Sequence, residues 1–356
     1  MLAMRIPMAW VLAGLVLPTV LCGQAMPPPA SAVQAQVQAQ VQAQVQAQVE
    51  AQVEAIAAQH HGKVALFAEN LATHQTVTIA PDTPVQTASV IKLAILYEAL
   101  EQIRAGKAHF EDKLAMAHAD QVPGSGVLLL LDTPLTLTFK DVLTLMVTMS
   151  DNTAANLAMD RVGIAQVNAR MAKLGLNDTY LYKKVFTPVQ PGTKLPPDFK
   201  RFGLGKTTAR QMAELMTRFV ECRLAEPGEP ARAGDAKLCQ AALKMLHVQF
   251  YRSAIPRYLD GMAGARGDSI ANKTGSLDAV RNDVAAISTR QGVVVLAAFT
   301  YENTDRSWGA EQEGELTIAR LAKAIVTAWS PEGLAPWPAV APPPAAEHAP
   351  SEKTSR

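Results

Sequence analysis

Apolar and polar positions change rhythm along this chain. Residues 63–69 and 75–80 alternate apolar and polar side chains with period two, as half-buried strands do, and residues 70–74 between them read as a turn. From residue 90 to 105 the spacing lengthens. Ile91, Ile95, Leu96 and Leu100 recur at helical intervals among strong helix formers, with no Pro or Gly until Gly106. The same spacing predicts helices over 139–149, 153–162, 164–174 and 209–224. Alternation returns at 269–273, 283–289 and 293–301, the last two joined through Arg290, Gln291 and Gly292, and 311–329 is a final helix. Strands at both ends of a helical middle predict two lobes, the α/β lobe being discontinuous in sequence, with a cleft at their seam.

The termini break this pattern. Arg5 followed by the apolar run 8–21, about 14 residues and too short to span a bilayer, reads as a signal peptide. Small residues place cleavage after Ala25 or Ala32, so residues 1–32 are assigned to the leader. The mature chain is then expected in the periplasm or outside the cell, with no stable membrane insertion. A lipoprotein anchored through Cys22 is the alternative, weakened by Leu21 where a small residue belongs. Residues 33–52 repeat Val-Gln-Ala-Gln. Gln and Ala favour helix, although the alternation also suits a strand, and the repeat runs into a helical segment at 53–58. An over-extended helix is the simpler reading. Pairing between copies is the weaker one, since Ala and Val bury little area. Residues 331–356 are rich in Pro, Ala and charge without periodicity and read as a disordered tail. The remaining 53–330, about 280 residues, are enough for a sizeable core and are expected as a monomer.

Composition narrows the function. The formal net charge is +1, with no long run of one sign, so neither nucleic acid nor a membrane surface is an expected partner. His60 and His61 are adjacent, point about 100° apart on a helix and read as its solvated end; with no H-x-H-x-D cluster a zinc hydrolase is disfavoured, and neither a metal nor another cofactor is expected. Cys222 and Cys239 flank a Pro/Gly-rich connection and in an exported chain are expected to pair, two buried free thiols being the alternative.

The chemistry lies in three short strings. In Ser89-Val90-Ile91-Lys92 an amine follows a hydroxyl by three residues, which puts both on one face when the serine opens a helix. A serine nucleophile needs a base within reach and donors for the oxyanion, and a helix N-terminus favours developing negative charge. Alone this pattern is common enough to arise by chance. Ser150-Asp151-Asn152 and Lys273-Thr274-Gly275 follow it in order, and the three together are the signature of class A β-lactamases and penicillin-binding proteins. The segments TASVIKLAIL, LTLMVTMSDNTAANLAM and ANKTGSLDAVRNDVAAI extend the resemblance over about residues 50–330.

The resemblance implies an α/β two-lobe fold, with a five-stranded antiparallel sheet and flanking helices plus an all-helical lobe. The α/β lobe would take about residues 53–87 and 265–330, the helical lobe about 88–264. By resemblance Ser89 is the acylated nucleophile, Lys92 its proton acceptor and Ser150 the hydroxyl that protonates the leaving nitrogen. Asn152 would bind the substrate's acylamide, Lys273 and Thr274 its carboxylate, and the backbone N–H groups of Ser89 and Ser276 the oxyanion. Gly275 would let the strand approach the substrate closely. Arg281 matches a carboxylate-binding cation in many relatives, one residue out of step, and a surface arginine is the competing reading. Asp151 is expected to order the turn through backbone hydrogen bonds, and Asn152 to face the site rather than cap the next helix.

One departure limits these roles. Class A enzymes carry a glutamate between the second and third strings that activates the deacylating water. Its position here falls on Thr187, the water-binding asparagine on Pro191, and no carboxylate occurs from Thr179 to Pro197. Lys92 serving both steps, or Asp198 from the longer loop, would be the replacements, and without one deacylation slows. The expected partner is a small-molecule β-lactam or acyl-D-Ala-type substrate. Three functions fit: a β-lactamase-like serine hydrolase, a D,D-peptidase or esterase, or a non-catalytic penicillin-binding sensor.

Overall fold

The computed structural model describes residues 30–189, 192–226, 228–309 and 311–337. The leader, but for its last residues, Cys22, Pro191 and the chain beyond Trp337 lie outside them. Two compact units divide between Ala43 and Gln44. The first includes the start of helix α1 (Ala30–Ala58), in which Val37 and Val41 are exposed. The second begins earlier than residue 53, because Val49 as well as Val53 is buried in the core.

In the second unit, β1 (Lys63–Asn70) and β2 (Thr76–Ile79) form the first hairpin. There follow β3 (Val85–Gln86), α2 (Lys92–Arg104), β4 (Lys113–Met116), β5 (Leu135–Thr138), α3 (Phe139–Thr148), α4 (Asn152–Val162) and α5 (Ile164–Lys173). Next come β6 (Tyr180–Leu181), α6 (Phe199–Phe202), β7 (Gly205–Thr207), α7 (Ala209–Val220) and α8 (Asp235–His247). The chain closes with β8 (Ile270–Leu277), β9 (Val280–Thr289), β10 (Gly292–Tyr301) and α9 (Glu313–Trp329). One sheet, ordered β2-β1-β10-β9-β8, joins both ends of the domain, and all its pairings are antiparallel.

Both faces of this sheet are covered, so its inner strands are buried at nearly every position. Leu66, Ile270, Ile287 and Leu296 pack with Val49 and Val53 of α1 and with Ile318, Leu321 and Ile325 of α9. Phe67, Val284, Val295 and Phe299 join the core of the helical lobe. Each fully buried Leu, Ile or Phe there contributes about 1.5–3 kcal/mol. The β8 edge of the sheet lies against the turn before α2, so two of the three strings meet at that edge.

Several boundaries differ from the sequence expectation, each for a physical reason. β8 runs on to Leu277 and β9 starts at Val280, because Gly275↔Asn282 and Ser276↔Arg281 continue the ladder through polar residues that hide it. The helical lobe is not wholly helical: it holds two small sheets, β3-β7-β6 and β4-β5, whose strands are too short to announce themselves by alternation. α7 stops at Val220, where Cys222 takes a positive φ of 54° and bonds to Cys239 in α8. The tail does not leave the fold at residue 331: Leu334 is buried and bridges Thr289, and the Trp337 ring lies 4.6 Å from that of His247. Nor is His60 solvated; it is buried between Asn303 (3.0 Å) and Thr317 (3.2 Å), while His61 is exposed. Among the described residues no helix is long and apolar enough to cross a membrane.

The Cys222–Cys239 bond closes a separation of 17 residues, a loop whose closure stabilises by about 3 kcal/mol in the chain-entropy account. The Cys222→Ala/Cys239→Ala variant is expected to lose about that much in urea unfolding. Identical midpoints for variant and parent would show that the bond stabilises nothing.

Candidate active site

Ser89 lies in a single 3-10 turn (Ala88–Ile91) that leads directly into α2. Ala88 is held at φ 44°, a left-handed conformation unfavourable for a residue with a Cβ, immediately before the serine. Gly275 of β8 explains how the turn is placed. A Cβ there would sit 2.8 Å from the backbone of Thr87, Ser89 and Val90, so only glycine lets the edge strand lie against the nucleophile. Its close approach is thus to the nucleophile turn itself. From β9, Asn282 donates to the carbonyls of Gln86 (2.8 Å) and Thr87 (3.1 Å) and ties the same turn to the sheet.

Ser150 sits between α3 and α4, also with positive φ (53°). Asp151 supports it: its carboxylate caps α4 by accepting from Ala154 N (2.9 Å) and accepts from Val127 N (2.7 Å) and Leu128 N (2.8 Å). Gly126, at φ 110°, leaves room for that carboxylate. With Asp151 as the cap, the Asn152 side chain is released to the site. Its Oδ1 accepts from Lys92 (2.9 Å) and its Nδ2 donates to Pro123 O (3.0 Å).

Two buried amines converge on the Ser150 hydroxyl. Lys92 Nζ lies 3.3 Å from Ser150 Oγ and also donates to Ser150 O (2.6 Å), so its hydrogen bonds run to the second string rather than to Ser89 Oγ. Lys273 Nζ donates to Ser150 Oγ (3.0 Å) and Thr274 O (2.7 Å). Both lysines are fully buried. Burial pushes the Lys92 amine well below its ordinary range; the positive Lys273 adds to this and Asp151 opposes it. Burial likewise pushes Lys273 down to about 7, against the opposing charge of Asp283. An amine made easier to deprotonate is what a lysine general base requires.

Ser89, Ser150, Thr274, Gly275 and Ser276 line one small cavity of about 120 Å³, together with Ser125, Tyr251, Ser253 and Glu315. A cleft of about 490 Å³ adjoins it at Ser89 and Ser276 and carries Asn152, Lys183, Phe186 and Trp308. β8 is an edge strand, so alternate N–H groups along it point away from β9. Arg281 is not a surface residue: it is buried, donates to the carbonyls of Leu277, Val280 and Ser307, and lies under the Trp308 ring at 4.7 Å. Thr187 turns back on its own loop, donating to Val185 O (3.1 Å). Asp198 is paired with Lys206 (2.9 Å), whose hydrogen bond holds it below the usual carboxylate range. Among the described residues no group of three His, Cys, Asp or Glu side chains could hold a metal.

Three supporting residues escape the sequence strings. Asn156 clamps the Thr187 loop through Val185 N (2.9 Å) and O (3.0 Å), and its position one helical turn after Asn152 is the signal that could have found it. Ser125 donates to Ser150 O (2.8 Å) from between two glycines. Glu315 has no local signal, since α9 brings it to the cavity from the far end of the chain.

The profile of the beta-lactamase enzyme family matches residues 48–329. A β-lactamase from Sphaerobacter thermophilus is 31% identical, with 79% of this chain and 96% of that one aligned at a TM-score of 0.65. PBP-A, a point mutant of which was solved as an acyl-enzyme complex with penicillin G, shares the fold at 22% identity, 80% and 95% coverage and TM-score 0.63. A β-lactamase from Chitinophaga pinensis shares it at 18% identity, 78% and 98% coverage and TM-score 0.64. No curated protein matches the chain significantly.

Because the Gly275 contact is backbone against backbone, Gly275→Ala must displace the nucleophile turn. Labelling of Ser89 by a serine-directed phosphonate is expected to slow by about a hundredfold, the cost of misplacing a reacting atom by about 1 Å. Circular dichroism should stay native. Unchanged labelling would show that the close approach does not position the serine.

Proposed function

The chain belongs to the beta-lactamase enzyme family and is a β-lactamase-like serine hydrolase, and on that premise we propose that it opens β-lactam amides through an acyl-enzyme on Ser89 and deacylates slowly. The observation that carries this reading is the Ser150 hydroxyl held between the amines of Lys92 and Lys273 at the cavity that contains Ser89. When Lys92 is neutral, its two N–H bonds satisfy Ser150 O and Asn152 Oδ1, and its lone pair is left for a hydroxyl proton.

In this mechanism Ser89 Oγ attacks the amide carbon and its proton passes to Lys92. The oxyanion is met by the N–H groups of Ser89 and Ser276. The C–N bond then breaks as Ser150 protonates the nitrogen, and Ser150 recovers its proton from Lys92. Lys273 supplies positive potential at Ser150 and with Thr274 binds the substrate carboxylate, and Asn152 orients the acylamide. Arg281, committed to backbone carbonyls, is left outside the carboxylate-binding set.

Hydrolysis of the ester needs an activated water. Thr187 offers no carboxylate, Asp198 is tied to Lys206 and Glu315 of the Ser89 cavity stands against Arg281, so in this reading Lys92 serves both steps. Loss of a positioned general base costs about 10²–10⁴ in rate. The same observation favours a second reading, a D,D-peptidase or esterase working on peptidoglycan-like acyl donors with these residues. We place the enzyme outside the cytoplasm, as a monomer.

Intact-mass analysis with penicillin G is expected to show a stoichiometric adduct that persists, absent in Ser89→Ala and shorter-lived in Thr187→Glu. An adduct on Ser89→Ala would refute the nucleophile, and rapid multiple turnover by the parent would refute slow deacylation. On the alkaline side, acylation should fall as pH rises through about 7, where Lys273 loses its proton. Lys273→Arg, which keeps its charge, should move that decline to higher pH in the acylation pH profile. A limb that stays in place would remove Lys273 from the role.

A further inference from the structure

Two cavities meet at Ser89 and divide an acyl donor between them. The smaller contains Ser150 and Thr274, where the leaving side and the carboxylate go; the larger, about 490 Å³, contains Asn152, so the acyl group lies there. Aromatic rings wall the larger one. Phe186, from the loop just before Thr187, is 62% exposed, and Trp308, from the turn ahead of α9, is 66% exposed. The exposed Leu277 joins them from the β8 edge. Large apolar side chains gathered in water around a cleft mark a binding surface.

Neither packing nor backbone preference accounts for Phe186. Its φ of 51° is left-handed, a costly conformation for a bulky side chain, and Asn156 fixes the loop that carries it through Val185 N and O. A Cβ on Gly124 would sit 3.1 Å from Phe186 Cε2 and 2.5 Å from Asn152 Nδ2, so the ring borders the amide that orients the acylamide. Trp308 is backed by the Arg281 guanidinium at 4.7 Å. The charges nearby are engaged elsewhere. Lys184 pairs with Asp160 (2.6 Å), Lys183 donates to Thr187 O (3.1 Å), Asp278 acts on Arg281, and Lys92 and Lys273 turn to Ser150. We propose that this cleft is built for an acyl donor whose acyl group ends in an aromatic ring, with Phe186 and Trp308 as the residues that select it. The inference rests on the acyl-transfer reading above.

The test uses the whole protein and four thioesters of mercaptoacetate, whose carboxylate suits Lys273 and Thr274: N-acetylglycyl, N-cyclohexylacetylglycyl, N-phenylacetylglycyl and N-succinylglycyl. The Ser89 Oγ–C bond forms as C–S breaks and the thiol leaves with a proton from Ser150, so acylation is read as the first turnover of thiol release. The phenylacetyl ester is expected to react at least about tenfold faster than the acetyl ester and at least about twofold faster than the cyclohexylacetyl ester, the scale of ring burial and of an aromatic contact beyond it. In Phe186→Ala and in Trp308→Ala the phenylacetyl-to-acetyl ratio should shrink at least about threefold, and Phe186→Tyr and Trp308→Phe should keep it. A cyclohexylacetyl ester as fast as the phenylacetyl ester, or a ratio unchanged in either alanine variant, would overturn the proposal. A succinyl ester faster than the phenylacetyl ester would hand selection to Lys183 and overturn it as well. An equal fall with all four esters would leave the rings a structural role only, with the same consequence. Failure of the acyl-transfer reading itself looks different: no ester would release thiol faster with the parent than with Ser89→Ala.

Discussion

The Lys92 amine, with no exposed surface, must find its hydrogen-bond partners among protein oxygens. Ser150 O, Ser150 Oγ and Asn152 Oδ1 meet that need, and all three come from the turn between α3 and α4. Much of the local architecture follows from it. Turning both the carbonyl and the hydroxyl of Ser150 to one amine accompanies a left-handed backbone, which Asp151 stabilises by capping α4 and gripping the 127–128 turn. Desolvation then makes Lys92 a base, so the burial that costs stability also creates the reactivity.

The sheet supplies the opposite wall. Lys273 reaches Ser150 from one side of β8, while Asp283, buried on β9, accepts from Asn272 (3.0 Å) and Ile255 N (3.0 Å). Burial pushes that carboxyl up to about 7, its neighbours opposing. Two ionisable groups are therefore held near their switching points on adjacent strands. The acyl-transfer half of the site is densely supported, whereas the loop that should hold a deacylating water is organised by Asn156 around a threonine that bonds to its own backbone. That asymmetry between the two halves underlies the proposed slow release.

Legibility in the sequence followed the range of the interaction. The nucleophile and its lysine are three residues apart, Asp151 caps its own helix, and the five long strands alternate over enough residues to be seen. The two- to four-residue strands of the small sheets and the ordered segment to Trp337 carried no comparable local pattern, whereas the helix Asp235–His247, with Cys239, Ala242, Leu243 and Leu246 at helical spacing, is legible although not among the predicted helices. Whether Arg281 faces solvent or the interior was not legible, because its place opposite Ser276 is set by a β9 that begins at Val280, three residues before the apolar run suggests. Register, not composition, decides where that guanidinium goes.

By itself the sequence determined which groups are available: a hydroxyl, two lysines, a second hydroxyl, and no carboxylate at Thr187, since these are matters of residue type at short spacing. Only the tertiary structure decided what those groups do to one another. Desolvation and charge–charge effects depend on distances of a few ångströms between residues far apart in the chain, as between Lys92 and Lys273, which meet at the Ser150 hydroxyl. No local pattern carries such a distance; the antiparallel sheet that joins the two ends of the domain creates it.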